Sequence, residues 1–500
     1  MSNLPDYVAS AKPNPKDNRV AWWKSTAQTY AGIMLWFVFW QGVTVGGADR
    51  VANPAGLLSQ GVWVAIGALV TAALLCHFLY YLVPGKLGMK TGLPLYIVGT
   101  STYGVNGGFI MPGFLMGVLQ FGWLAVNAYF SGLLLAMAMG AGEASMLHFT
   151  ISIIWAVVAA FIGLKGIKYV AGVATFLPLI PVVILLLMFI KTFGGVSSFE
   201  PAQFITKESQ YLLPVWMVFN FMLIYVIGFF ATAGAAGCDM GSANRDDRDI
   251  SFGGLFGIAG STIFAGGLSL LIVAGIYGSK MADYKTYEST IRVEKIEGKE
   301  VAVKAVTVDK TPEYLSIIFP SAASESAAEV KDGEKAANKL TLAQILMTLL
   351  AVAAFPGACF STLIAANSFK TTLPKVNPFI SCGLGTLASI GLIVSTYAGN
   401  AVAVFEVIGA SFGPICGAMA ADYLLSGRKW NGPRAGFNMP GWISWFFGFI
   451  VGVFNLIPGM PFVMPCPPLL AFIVGFVLYI ALAKAGMESE TLEMPQRIDQ

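Results

Sequence analysis

Twelve stretches of the chain each hold about twenty or more mostly apolar residues between polar punctuation, the length an α-helix needs to cross the hydrocarbon layer of a bilayer. They fall near 26–47, 57–83, 109–139, 147–163, 168–192, 211–238, 254–278, 341–369, 378–398, 400–425, 437–457 and 464–484. With 56% hydrophobic residues, 11% charged residues and a mean hydropathy of +0.72, a string of soluble domains is excluded. The pattern predicts an all-α polytopic membrane protein.

Charge sets the orientation. Placing the N-terminus inside puts seventeen Lys and Arg on inner segments, while the short outer segments hold only Arg50, Lys191 and Lys207. The positive-inside bias therefore predicts a multi-pass protein of the cell inner (plasma) membrane with both termini cytoplasmic, and no cleaved signal peptide. The net charge of +3 is this bias and gives no sign of a nucleic-acid partner. The expected organisation is a tail over 1–25, spans one to seven over 26–278, an extracytoplasmic insertion over 279–340, spans eight to twelve over 341–485, and a second tail over 486–500. Six scattered Cys and two distant His, His77 and His148, give no metal framework and no histidine-based triad. With no nucleophile-base-orienter set in view, an enzyme is not expected.

Within the insertion, "TIRVEKIEGKEVAVKAVTV" alternates on both sides of Glu297-Gly298, which predicts a hairpin, and "PEYLSIIF" predicts a short helix. A mixed-charge hairpin of this kind reads as a solvated outer cap. Replacing 285–335 by a Gly/Ser linker is then expected to leave substrate affinity nearly unchanged.

Spans one and six carry glycines where a helix would otherwise run on: Gly42, Gly46 and Gly47 in the first, Gly228, Gly234 and Gly237 in the sixth. Two readings are open, close packing through small residues, or broken helices at a transport site in two related halves. Span eight contains "FPGACFSTLIAAN", Phe355 to Asn367. At 3.6 residues per turn, Ala358, Ser361 and Thr362 share a face, and Asn367 points well away from it. The hydroxyls either bond back to the preceding turn or face a ligand.

The run "KTGLPLYIVGTSTYGVNGGFIMPGFLMGVLQFGWLAVNAYFSG" and the later "GPICGAMAADYLLSGRKW", residues 413–430, resemble the nucleobase-cation symporter-1 family of purine-cytosine permease type. The resemblance covers most of residues 20–485 and has no counterpart for the insertion. It implies twelve transmembrane helices in a five-plus-five inverted repeat, LeuT-like, with helices one and six broken. It implies a secondary active symporter that imports a neutral nucleobase or related planar heterocycle by alternating access.

By motif, Trp123 and Phe230 become the aromatic pair that sandwiches the ring. Phe230 occupies a position that is Trp in hydantoin carriers and Phe in cytosine permeases. Asn127, Asn367 and Gln41 become its amide partners, able to donate and accept. The resemblance also assigns Na+ as the coupling ion, held by carbonyls of Phe37, Trp40 and Ala358 and by the hydroxyls of Ser361 and Thr362, five oxygens suited to a hard cation. Proton coupling is the alternative, with Glu406 the carboxylate deepest in span ten, and a receptor that binds without transporting is another. The particular heterocycle and the oligomeric state are not read from the sequence.

Overall fold

The computed structural model describes residues 4–25, 36–40, 55–166, 177, 179–205, 212–282, 292–296, 299–303, 311–320, 340–460 and 462–494. Among them, nine helices are long and apolar enough to cross a membrane: Val62–Thr91, Thr100–Ala138, Met146–Lys165, Leu179–Ser198, Val215–Ala235, Asp247–Gly278, Leu342–Lys370, Ala401–Leu425 and Pro467–Lys484. Two shorter apolar helices, Pro378–Val394 and Met439–Gly452, match the ninth and eleventh expected spans. Of the first span the described residues include the helical turn Trp36–Val38, followed by Phe39 and Trp40; Gly42, Gly46, Gly47 and Gln41 lie outside them.

Helix ends follow local chemistry. The second span stops where Gly92 takes a left-handed conformation, φ 67°, the usual device for closing a helix. The third changes direction at Gly104, φ 80° and ψ 165°, where a Cβ would lie 2.3 Å from the Gly436 carbonyl oxygen. Only glycine meets both demands. The eighth opens on a full capping box between Thr341 and Gln344.

The third and eighth spans run antiparallel and form a main axis of the molecule. Gly117 lets the Phe369 ring approach at one end, and Asn127 Nδ2 donates to the Ala354 carbonyl at 2.9 Å near the other. The sixth and tenth spans are the most enclosed, with 72% and 83% of their apolar windows buried, against 33% for the fourth, fifth and twelfth. Centre and lipid-facing rim are thus distinct.

The glycines of span six act as packing residues. The helix Val215–Ala235 is continuous through Gly228 and Gly234, where added Cβ atoms would meet Phe405 O at 3.1 Å and Tyr80 Cβ at 2.6 Å. The helix divides two residues later, at Ala236, and a short helix Gly237–Ser242 follows. That short helix lies against the inner half of span two at backbone contact, since a Cβ on Gly88 would fall 1.9 Å from Cys238 O. Small residues permit this approach in a membrane.

The hairpin is present as expected: Arg292–Ile296 pairs antiparallel with Lys299–Val303, Ile296 opposite Lys299. The short helix is present as Thr311–Ile318. Tyr314, Leu315 and Ile318 are 1%, 0% and 4% exposed, because one face of this helix is apolar and packs against spans one, five, seven and eight.

On the opposite side, a buried polar hub ties the loops together. Arg434, 2% exposed, bonds Asp422 Oδ1 at 2.9 Å, Tyr479 OH at 2.8 Å, Glu488 Oε1 at 2.7 Å and the Ser101 carbonyl. Asp422 accepts further bonds from Ser101 Oγ and Thr102 Oγ1. Every charge in the hub has partners, which burial requires. Both tails belong to this face: Arg19 Nη1 donates to Met89 O and Trp22 N to Asp249 Oδ1, while Ala435 N donates to Glu490 O.

Removing one partner of such a buried pair costs about 3–5 kcal/mol, whereas replacing both by apolar groups is far milder. Arg434→Met should therefore lower the melting temperature of the purified protein sharply, and adding Asp422→Leu should recover most of the loss. Thermal unfolding of the three proteins in one detergent measures this.

Candidate functional site

An aromatic cluster occupies the meeting point of spans one, three, six and ten. Half-buried Trp123 lies 4.6 Å from the Phe405 ring at 31° and 4.9 Å from the Phe229 ring at 84°. Phe37, from the short helical turn of span one, completes the cluster, with centroids 5.9 Å from Phe130, 6.3 Å from Phe229 and 6.4 Å from Phe405. Offset and edge-to-face rings in this range attract one another by about 0.5–1.5 kcal/mol per pair beyond burial.

The structure sets the ring of Phe229 against Trp123, with Phe230 one position further along the same helix. Phe230 is 2% exposed and its ring packs at 5.2 Å on Phe229; the ring beside Trp123 is Phe229. Adjacent residues on a helix point about 100° apart, so a shift of one position exchanges the ring facing the cluster for one facing its neighbours.

The amides separate. Asn127, one turn beyond Trp123, commits its Nδ2 to Ala354 O and keeps a buried Oδ1 with no partner. Asn367 is exposed and sits on the eighth span about 20 Å along a straight helix from Ala354. The structure does not bring it to the aromatic cluster. Gln41 is outside the described residues.

The oxygen set on span eight divides by environment. Ser361 Oγ donates to the Gly357 carbonyl at 3.1 Å, the back-bond expected of a helical serine, and its lone pairs remain available. Thr362 is 0% exposed and its Oγ1 has no hydrogen-bond partner. Span four presses against this residue: a Cβ on Gly163 would lie 2.9 Å from Thr362 Cβ and 2.6 Å from Cys359 O. An unpaired hydroxyl in an apolar interior costs about 1–3 kcal/mol, and a cation is one way to recover it. Ala358 is fully buried one turn before. Among the described residues no group of three or more His, Cys, Asp or Glu could hold a metal ion.

The sequence did not point to the rings of Phe229, Phe405 and Phe37 as neighbours of Trp123. Phe229 adjoins Phe230 and Phe405 precedes Glu406, both of which were named; Phe37 was named for its carbonyl, and nothing local marked its ring.

No family model matches the sequence, and no curated protein is similar to it in sequence. Solved structures do match. Mhp1, a nucleobase-cation-symport-1 family transporter in a closed conformation with bromovinylhydantoin bound, is 14% identical with a TM-score of 0.58, over 96% of this chain and 94% of its own. Mhp1 in its inward-facing conformation is 13% identical with a TM-score of 0.58, over 97% and 94%. A Na+-coupled sialic acid symporter in a substrate-bound, outward-open state is 12% identical with a TM-score of 0.54, over 98% and 93%.

At these identities the likeness establishes the fold. It is a LeuT-like fold, and it extends over nearly the whole chain.

If a planar ring binds beside Trp123, Phe229→Ala should weaken it about two- to tenfold, the worth of one aromatic pair. Phe230→Leu should change affinity less than twofold. Equilibrium binding of a panel of cytosine, uracil, hypoxanthine, hydantoin and allantoin to both variants checks the choice of partner.

Proposed function

We propose that the chain is a secondary active symporter of the nucleobase-cation-symport-1 type, importing a neutral planar heterocycle together with Na+ by alternating access. The observation that carries this reading is Phe37. Its ring joins the cluster around Trp123, and its residue lies in the turn of span one whose carbonyls the resemblance assigns to the ion. One turn of backbone thus belongs to both halves of a coupled site. Mhp1, a protein of the same fold, binds a hydantoin, and the sialic acid symporter is Na+-coupled.

The mechanism follows from how the residues divide the work. Trp123 offers a flat apolar face to a ring, flanked by Phe229 and Phe405, and Asn127 Oδ1 offers a buried acceptor to a ring N–H. In this reading Thr362 Oγ1, Ser361 Oγ and the Ala358 carbonyl offer oxygens to the ion from span eight, and the Phe37 and Trp40 carbonyls, which the resemblance assigns to it, do so from span one. A bound Na+ supplies positive charge that fixes span one against span eight. Fixing span one also fixes the Phe37 ring, so ion binding orders the cluster that receives the heterocycle. By reciprocity the heterocycle tightens the ion equally.

Both tails lie on the face that carries the inner Lys and Arg residues, and we place that face in the cytoplasm and the 279–340 insertion outside, in the plasma membrane. Asn367 fits none of these contacts, and the reading leaves it out of the first contact shell.

Removing a hydroxyl that contacts an ion costs about 1.5–3 kcal/mol. Thr362→Val should raise the Na+ concentration for half-maximal binding of the heterocycle tenfold or more, while affinity at saturating Na+ recovers. Binding titrations over Na+ at constant ionic strength, repeated across pH, decide between ions. A response to pH alone, abolished by Glu406→Gln, replaces sodium by the proton.

A further inference from the structure

The outer insertion reaches the turn of span one on which the sodium reading rests. Trp40 is 0% exposed and is held from several sides: its indole N–H donates to Ser269 O of span seven at 3.4 Å, its ring meets Trp36 at 5.2 Å, and the ring of Tyr314 meets it edge-to-face at 5.8 Å and 82°. Tyr314 belongs to the insertion, on the helix Thr311–Ile318, and is itself 1% exposed. A loop residue that buries an aromatic ring against a transmembrane helix contributes to that helix's position.

The contacts continue inward without a gap. Trp36 meets Phe37 at 6.2 Å, Phe37 meets Phe229 at 6.3 Å, and Phe229 meets Trp123 at 4.9 Å. Rings from the insertion, span one, span six and span three therefore pack in one series. Close-packed rings transmit displacement because no void absorbs it. Trp40 cannot shift without moving either Tyr314 or the turn Trp36–Val38.

We infer that Tyr314 is a positioning residue of the coupling site: the helix Thr311–Ile318 of the outer insertion fixes the Trp40 ring, and through it the span-one carbonyls that hold the ion. The inference rests on the sodium-symport reading and adds a residue to it from a segment without a counterpart in the resembling family. It also reverses the expectation that the insertion is dispensable. The contact touches no substrate, so its loss acts on the ion first.

The test uses the full-length purified protein, titrated with NaCl against choline chloride at constant ionic strength, with binding of the heterocycle panel as the readout. Tyr314→Leu should raise the half-saturating Na+ concentration about two- to tenfold, the worth of one aromatic pair, and leave affinity at saturating Na+ within twofold. Tyr314→Phe keeps the ring and should behave as the parent. A Tyr314→Leu protein with the parent's Na+ dependence overturns the inference alone, as does one weakened equally at every Na+ concentration. A parent that ignores Na+ overturns the sodium reading itself, and this inference with it. Hydrogen exchange on the parent gives a second measurement free of folding defects: by reciprocity Na+ should slow exchange across 311–318, and unchanged exchange there contradicts the proposal.

Discussion

A chain buried in lipid must satisfy its polar groups internally, because no water reaches the hydrocarbon layer to do it. Much of that requirement is met by local bonds. Hydroxyls in the spans, such as Thr71, Thr262, Ser269 and Ser411, bond back to the carbonyl four residues earlier. The Arg434 hub pairs every charge it encloses. Among the described residues, the buried side-chain atoms without a partner include Oγ1 of Thr362 and Oδ1 of Asn127, on the facing helices eight and three, along with atoms of Trp36, His77, Tyr103, Ser131, Ser152, Trp155 and Asn244. The proposed function gives the first two a role, Thr362 toward the ion and Asn127 toward a ring N–H.

The same constraint explains the use of glycine. In water, Gly228, Gly234 and Gly241 would weaken a helix with little return. In the membrane they let span six approach Phe405, Tyr80 and Gly85 closely enough for backbone contact. That approach places Phe229 beside Trp123. Of the two readings left open by the sequence, close packing describes Gly228 and Gly234 in span six.

Much of the fold was legible because its signals are long. A run of twenty apolar residues spans a bilayer whatever its details, and eleven of the twelve expected spans have their helix among the described residues. The hairpin was legible from alternation on both sides of Glu297-Gly298, and its register agrees. The site was legible only in part. Trp123, Asn127 and Thr362 were named from motif and face, but Phe229 differs from Phe230 by one residue, a distinction that hydrophobic periodicity cannot make when both neighbours are Phe. Phe405 and Tyr314 are brought to their partners by tertiary packing over long sequence separations. The buried face of the Thr311–Ile318 helix was hidden by its charged surroundings, and the Arg434 hub by the separation of Asp422, Arg434 and Glu488 on a span end, a loop and a tail.

The central claim is coupling: one turn of span one serves ion and heterocycle together, so a gradient of the first drives movement of the second. The direct measurement is accumulation of a radiolabelled heterocycle by proteoliposomes containing the purified protein, with Na+ high outside and absent inside. The account predicts that the ring accumulates above its outside concentration and leaks back when the Na+ gradient is collapsed. Binding that saturates at the protein's own stoichiometry, with no accumulation under a Na+ gradient or a proton gradient, would contradict it and identify a receptor.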